Sequence, residues 1–294
     1  MAEGEANMTI DQAIAAVEER FPFKGYIPAG RMDSGAWVNI ARTVQRHVPR
    51  GGRILDFGCG PCDKTAVLQM LGYECSACDD LQDGWHGRDN NRARLAEFAR
   101  ESGIDFRVVE GGVIPFEQPV FDMLMMTDVL EHLHDSPRVL LNSLLALVKP
   151  GGLFFMTVPN AVNIRKRISV LLGRTNLPPF DQYYWYPDTW RGHVREYTRD
   201  DTEKLARFLG LEVVELTGCN HMLARLPRFG RPLYLALTRI FPGWRYTWLL
   251  VARKPAGWTP SVLSEERRAA VVMKATGWTG RRSRPGCRPR RSSS

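Results

Sequence analysis

The sequence predicts an α/β protein with a doubly wound, mostly parallel sheet and helices on both faces. Short apolar runs alternate with longer amphipathic stretches, which is the pattern of strands joined by crossover helices. The run at 121–126 reads Phe-Asp-Met-Leu-Met-Met and is apolar at nearly every position. Strands of a parallel sheet are buried on both faces and therefore show continuous runs rather than alternation.

Seven strands and the helices between them can be assigned in chain order. The predicted strands are 53–57, 73–78, 104–109, 121–126, 153–158, 211–216 and 246–252. The predicted helices are 9–20, 33–48, 63–71, 89–101, 135–148, 163–172, 199–209 and 233–241. Thr9 is an N-cap for the first helix, Ser136-Pro137 begins the fifth, and Gly72, Gly103 and Gly210 each follow the end of a helix.

The composition is that of an ordinary globular protein with a basic C-terminal end. Of 294 residues, 44% are hydrophobic and 24% charged, which excludes a mainly disordered, collagen-like or disulfide-scaffold chain. We expect an N-terminal helical extension at 1–50, a main domain at 51–255 with an insertion at 160–198, and a C-terminal extension at 256–294. Residues 280–294 hold six arginines and no acid, and we expect this tail to be disordered.

Nucleic acid is not an expected partner. The formal net charge is +8, but without the tail it falls to +2, so the folded part is close to neutral. The tail could bind nucleic acid or an anionic membrane surface, or it could be a terminus without a role. The N-terminal residues lack the pattern of a secretory signal, and no apolar run is long enough to span a membrane. We therefore expect a cytoplasmic protein.

Four of the six cysteines form two C-x2-C pairs, 59/62 and 75/78. Such pairs can bind zinc when each lies on a tight turn. Here the first pair lies in a glycine-rich segment and the second in a predicted strand. The sequence therefore predicts buried, apolar thiols and no metal site.

The segment that follows the first predicted strand has the features of a ligand-binding turn. Residues 56–62 read Asp-Phe-Gly-Cys-Gly-Pro-Cys and precede a predicted helix. Gly58 and Gly60 allow a tight turn and the close approach of a ligand, and a helix N-terminus attracts carboxylate or phosphate groups. Asp56 can accept hydrogen bonds from a cationic ligand. In a doubly wound sheet, ligands bind at this carboxyl edge.

The spacing of acidic residues favours a nucleoside over a dinucleotide. The fingerprint G-x-G-x-x-G would require a third glycine at 63, where the chain has Asp63, and this argues against a nicotinamide-dependent oxidoreductase. Asp79 lies 19 residues after Gly60, a spacing that suits a carboxylate binding both ribose hydroxyls. Glu110, after the third strand, could bind an adenine amino group. Thr-Asp-Val-Leu-Glu-His-Leu at 127–133 follows the fourth strand.

Residues 53–160 resemble the class I S-adenosylmethionine-dependent methyltransferases. Arg-Ile-Leu-Asp-Phe-Gly-Cys-Gly-Pro at 53–61 is similar to that family's first motif, and Asp-Val-Leu-Glu-His-Leu at 128–133 is also typical. His-Val-Arg-Glu-Tyr-Thr at 193–198 resembles the subgroup of ubiquinone-biosynthesis O-methyltransferases and envelope polysaccharide enzymes. The resemblance extends over about 50–255. One departure is Cys62, where the family often has a third glycine near the methionine end of its cofactor.

The resemblance implies a Rossmann-like, seven-stranded sheet whose last strand is antiparallel, and S-adenosylmethionine as the cofactor. The predicted cofactor contacts are Asp56, Gly58, Cys59, Gly60, Asp79, Asp80, Glu110, Gly111 and Asp128. The sulfonium of this cofactor already activates the methyl group, so a base is needed only when the acceptor carries a proton. His132 and His193 are the predicted catalytic residues, because histidine suits proton transfer near neutral pH. The alternative for His132 is a packing role.

The insertion at 160–198 is the predicted site of acceptor choice, because loops at this edge vary without disturbing the sheet. The helix at 163–172 has cations beside an apolar side. It is either an interfacial helix, suited to a membrane surface and a lipid-linked acceptor, or a surface helix whose apolar side packs on the core. The aromatic residues 183–186 either line the acceptor pocket or pack on the sheet. We expect methylation of a hydroxyl on a sugar, lipid-linked or quinone-like small molecule; the sequence leaves the oligomeric state open.

Overall fold

The computed structural model describes residues 8–23, 35–221, 223 and 226–275. A seven-stranded sheet with the order β3-β2-β1-β4-β5-β7-β6 forms its centre. The strands are β1 (Arg53–Phe57), β2 (Glu74–Asp79), β3 (Asp105–Val108), β4 (Phe121–Thr127), β5 (Val148–Pro159), β6 (Glu212–Cys219) and β7 (Thr247–Arg253). Strand β7 runs antiparallel to both of its neighbours, β5 and β6, and the other strand pairs of the described residues are parallel. The predicted fold class is confirmed.

The helices of the described residues agree closely with the predicted ones. They are α1 (Ile10–Arg20), α2 (Ala36–His47), α3 (Asp63–Met70), α4 (Asn91–Glu101), α5 (Pro137–Ala146), α6 (Ile164–Leu171), α7 (Phe180–Tyr184), α8 (Arg199–Phe208), α9 (Arg231–Ile240) and α10 (Glu265–Ala275). Thr9 caps α1 through a capping box with Gln12, as expected. The sequence did not predict α7, which is a single short turn, or α10.

The two faces of the sheet contribute to two hydrophobic clusters. Met123 and Met125 of β4 belong to the cluster that contains residues of α1, α2, α3 and α4. Leu124 and Met126 of the same strand belong to the cluster that contains residues of α5 and α8. All four side chains are completely buried, so β4 is covered on both faces as its sequence predicts.

Strand β5 begins earlier than predicted, at Val148 instead of 153. Val148 pairs with Phe121, and the register shifts before Leu153 pairs with Met123. The Lys-Pro-Gly-Gly segment at 149–152 therefore forms an irregularity within the strand rather than a separate turn, because Gly151 adopts a φ of 77°.

The described chain forms two compact units, one that runs to Pro260 and one that begins at Ser261. Helices α1 and α2 share the hydrophobic core of the first unit. The second unit contains α10, none of whose residues is buried. The arginine-rich tail at 280–294 lies outside the described residues. Among those described, no helix is both long and apolar enough to cross a membrane.

Candidate active site

The turn after β1 is built from residues in left-handed backbone conformation. Gly58, Gly60 and Cys62 have φ values of 70°, 55° and 59°. A Cβ atom on Gly58 would lie 2.5 Å from a γ-carbon of Val129, so glycine lets this turn approach the loop after β4. Cys62 occupies the same backbone region at a cost of about 1–2 kcal/mol, because its Cβ crowds the following carbonyl oxygen.

The cysteines of both C-x2-C pairs are buried, as predicted. The Sγ atoms of Cys59 and Cys62 are 3.4 Å apart at the start of α3. Burial raises the pKa of Cys59, Cys75 and Cys78. These thiols are therefore neutral at pH 7.

Asp56, in β1, has a buried carboxyl group with one oxygen that no described residue hydrogen-bonds. Its side chain is buried, and its Oδ2 accepts a 2.5 Å hydrogen bond from Oγ1 of Thr65. Its Oδ1 has no hydrogen-bond partner among the described residues. Burial raises the pKa of Asp56 to about 7, although the Thr65 hydrogen bond opposes this. A cationic donor at Oδ1 would satisfy this atom and favour the ionised form.

Asp79 connects the end of β2 to the turn after β1. Its Oδ2 accepts a 2.9 Å hydrogen bond from the Gly60 N–H, and its Oδ1 accepts one of 2.8 Å from the Leu81 N–H. Each carboxylate oxygen can accept a further hydrogen bond, so the group can still bind a diol. Burial raises the pKa of Asp79, and the two backbone donors oppose that increase. Its neighbour Asp80 instead forms an ion pair with Arg191.

The turn after β3 contains two more predicted residues, Glu110 and Gly111. The Glu110 side chain is exposed, and its carbonyl accepts a 2.9 Å hydrogen bond from the Val113 N–H. Gly111 and Gly112 have positive φ values of 58° and 77°, which glycine adopts without strain. Their contact with an adenine ring stays a prediction.

Asp128 follows β4 and lies beside a cation that sequence analysis missed. Its Oδ1 accepts a 3.1 Å hydrogen bond from Oγ1 of Thr157, and Nζ of Lys64 lies 3.8 Å from its Oδ2. Lys64 also donates a 3.1 Å hydrogen bond to Oγ1 of Thr127. Burial lowers the pKa of Lys64, but the nearby carboxylates, Asp128 first, outweigh this and raise it. Lys64 therefore stays charged.

The structure brings the two predicted catalytic histidines together. The ring centroids of His132 and His193 are 5.0 Å apart. Nδ1 of His132 lies 2.7 Å from the carbonyl oxygen of Arg191, and because a carbonyl only accepts, this nitrogen carries the proton. Nε2 is therefore the ring nitrogen of His132 that could accept a proton. Nδ1 of His193 lies 2.9 Å from Oε1 of Glu196, and burial lowers the pKa of His193 to about 4.

Glu131 is a fully buried acid beside these rings. Neither carboxylate oxygen has a hydrogen-bond partner among the described residues, and Oε1 lies 3.8 Å from Nε2 of His193. Burial raises the pKa of Glu131 well above its usual range, and the charge of Asp128 adds to this. Ligand atoms of Glu131, His132 and His193 lie within 4.8 Å of one another, so the three could hold a metal ion. The sequence alone predicted no metal site, although Asp128, Glu131 and His132 lie close enough along the chain to have left one open.

An open cleft of about 530 Å³ lies beside the aromatic segment. Trp185, Tyr186 and Trp190 line it, together with Asp83 and Gly84 of the loop after β2. The ring centroids of Tyr186 and Trp190 are 5.2 Å apart, in an edge-to-face arrangement. None of residues 183–186 is buried, so this segment does not pack on the sheet as the alternative required.

Comparison with known proteins gives consistent matches. A family model described as a methyltransferase domain matches residues 34–216. The chain is 24% identical over 186 residues to a ubiquinone biosynthesis O-methyltransferase of Rhizobium etli, covering 62% of this chain and 69% of that protein. It is 31% identical over 124 residues to the enzyme of the same name from Xanthomonas campestris, covering 42% and 49%.

Solved structures share the fold. A SAM-dependent methyltransferase from Aquifex aeolicus matches with a TM-score of 0.51 and 13% identity, over 82% of this chain and 98% of that one. A protein from Pyrococcus horikoshii matches with a TM-score of 0.50 and 18% identity, over 80% and 96%. At such identities the likeness shows the fold alone.

The strand order, the turn after β1 and the acids at successive strand ends define a class I S-adenosylmethionine-dependent methyltransferase. The family model covers more than half of the chain, which therefore belongs to the methyltransferase-domain family. The resemblance inferred from sequence is confirmed, and S-adenosylmethionine is the cofactor.

Proposed function

We propose that this enzyme methylates a hydroxyl oxygen of a sugar, lipid-linked or quinone-like small molecule, with His132 as the general base. The observation that carries this proposal is the 2.7 Å hydrogen bond between His132 Nδ1 and the Arg191 carbonyl, which leaves Nε2 free to accept a proton. A hydroxyl acceptor needs such a base because it keeps its proton at neutral pH. The resemblance to ubiquinone O-methyltransferases supports the same acceptor chemistry.

The carboxyl ends of β1, β2 and β4 would hold the cofactor. When bound, S-adenosylmethionine supplies a methyl group that its sulfonium has already activated. Asp56 has an unpartnered buried oxygen for a cationic group, and Asp79 has room for a diol. The remaining proposed contacts are Gly58, Cys59, Gly60, Asp80, Glu110, Gly111 and Asp128.

The other groups near His132 keep its ring available for proton transfer. His193 is neutral at pH 7, because burial lowers its pKa, and Glu196 fixes its orientation. Burial raises the pKa of Glu131 well above its usual range, which disfavours a negative charge beside the two rings. We propose that His193 packs against the acceptor and that His132 removes its proton as the new bond forms.

The test is to incubate the protein with a cell extract and S-adenosylmethionine that carries a deuterated methyl group. Mass spectrometry then finds compounds that gain the labelled methyl, and fragmentation locates it. The proposal predicts the label on an ether oxygen. A label on nitrogen, carbon or sulfur would contradict it.

We further propose that the enzyme works in the cytoplasm at a membrane surface, through an apolar face at 164–185. No residue of α6 is buried, so the expectation that its apolar side packs on the core is wrong. Leu171 and Trp185 are 84% and 78% exposed. Four cations and a single acid occur within 161–185. Anionic lipid headgroups would attract the cations of this segment, and the apolar side chains would enter the lipid layer.

The double substitution Leu171→Ser with Trp185→Ser is expected to weaken binding to vesicles that contain anionic phosphatidylglycerol at least about 100-fold, since each large side chain loses roughly 1.5–3 kcal/mol of burial. Cosedimentation measures the bound fraction. The matched control is Val139→Ser on α5, which is 62% exposed and lies outside the apolar face. Equal losses in both variants, or no vesicle binding by the unaltered protein, would rule out this surface.

A further inference from the structure

Arg191 makes contacts with two distant parts of the active site. Its guanidinium Nη2 lies 3.1 Å from each carboxylate oxygen of Asp80, and its Nε lies 3.1 Å from Oδ1 of Asp83. Its backbone carbonyl accepts the 2.7 Å hydrogen bond from His132. One residue thus binds the loop after β2 with its side chain and the proposed base with its main chain.

The loop that contains Asp80 and Asp83, to which the Arg191 side chain binds, belongs to the proposed cofactor site. Asp80 directly follows Asp79, whose carboxylate accepts the Gly60 N–H in the turn after β1. Two different nitrogens of one planar guanidinium bind the two acids, Nη2 to Asp80 and Nε to Asp83, which fixes the orientation of the group. The Asp80 and Asp83 contacts therefore hold the backbone at 191 in a defined place relative to the cofactor loop.

The backbone around Arg191 is also bonded to the segment that carries His132. The Trp190 carbonyl accepts a 2.6 Å hydrogen bond from Nε2 of His134, and the Val194 N–H donates a 2.7 Å hydrogen bond to the Glu131 carbonyl. These hydrogen bonds join residues 190–194 to residues 131–134. A displacement of the 191 carbonyl would change the partner of His132 Nδ1.

We infer that Arg191 is the positioning residue for His132. By bridging to Asp80 and Asp83, it places its carbonyl so that His132 carries its proton on Nδ1 and presents Nε2 to the acceptor. The same bridge makes this arrangement depend on the loop that holds the cofactor sugar. The inference rests on the proposed role of His132 as the base.

The test compares Arg191→Ala and Arg191→Lys with Arg199→Ala. Arg199 pairs with Glu203 on the exposed side of α8, so it is an arginine of similar setting outside the site. Nitrogen-15 NMR of histidine-labelled protein reports which ring nitrogen carries the proton, and the spectrum of His132→Ala identifies the His132 signals. Turnover and affinity for S-adenosylhomocysteine are measured on the same variants.

For Arg191→Ala we expect a mixture of His132 tautomers, a kcat about 10- to 100-fold lower, and a cofactor affinity within about threefold of the unaltered protein. Arg191→Lys should give a tautomer mixture and a kcat between those of Arg191→Ala and the unaltered protein, because lysine keeps the charge but not the planar set of donors. Arg199→Ala should change none of the three.

A single Nδ1-protonated tautomer with unchanged kcat in Arg191→Ala would overturn the inference, as would an equal loss in Arg199→Ala. If Arg191→Ala mixes the tautomers while His132→Ala turns over normally, the positioning by Arg191 stands and the proposed base fails. The two failures are therefore distinguishable.

Discussion

Replacing His132 with alanine is expected to lower kcat about 100- to 10,000-fold, the usual contribution of a positioned general base. The reason is that we propose Nε2 of His132 as the proton acceptor, since Nδ1 donates its hydrogen bond to the Arg191 carbonyl. Affinity for S-adenosylhomocysteine should stay within about threefold, because the proposed cofactor contacts lie on other residues. Initial rates with the identified acceptor and titration calorimetry measure the two quantities separately.

His47→Ala is the matched control, because this ring is also hydrogen-bonded, to Glu215 at 3.0 Å, but lies on α2 away from the site. Rates are measured with and without a chelator. A normal kcat in His132→Ala would remove His132 as the base. Loss of activity in the unaltered enzyme on chelation would instead assign the Glu131, His132 and His193 group to a metal ion.

Asp79→Ala is expected to weaken the binding of S-adenosylhomocysteine by about 1.5–3 kcal/mol, or roughly 10- to 150-fold in Kd, the worth of hydrogen bonds to a charged group. The carboxylate accepts hydrogen bonds from the Gly60 and Leu81 N–H groups, and we propose that its remaining lone pairs bind the cofactor diol. Titration calorimetry gives Kd, and a thermal melt shows whether the variant is folded at the assay temperature.

Asp105→Ala provides the comparison for Asp79→Ala. Asp105 begins the neighbouring strand β3, but its carboxylate is about half exposed and pairs with Arg107. Its loss should leave Kd within about twofold, as expected for a surface ion pair. An unchanged Kd in folded Asp79→Ala would show that this acid does not bind the cofactor.

The parts of the site that depend on one strand end could be predicted from sequence. The glycines of 56–62 indicate a tight turn, and the structure gives Gly58 and Gly60 positive φ values. The spacing between Gly60 and Asp79 indicates that they meet at the edge of the sheet, and they are joined by a 2.9 Å hydrogen bond. In each case a local pattern and the geometry of a parallel sheet are sufficient.

The parts that depend on the path of the insertion could not be predicted. Arg191 reaches Asp80 across 111 positions, and Lys166 pairs with Glu196 across an irregular segment. No periodic pattern relates such residues, so their sequence gives no signal. The amphipathic pattern of α6 likewise left two alternatives, because periodicity does not reveal whether the apolar side is covered. In the structure no residue of α6 is buried, and this decides between them.

We propose that the carboxyl ends of β1, β2 and β4 form the S-adenosylmethionine site. Thermal unfolding with and without S-adenosylhomocysteine at about 100 times its Kd tests it most directly. We expect a stabilisation of about 2.7 kcal/mol for the unaltered protein, of about 0.3–1.4 kcal/mol for Asp79→Ala at the same ligand concentration, and none with NADH. Stabilisation by NADH with none by S-adenosylhomocysteine would contradict it.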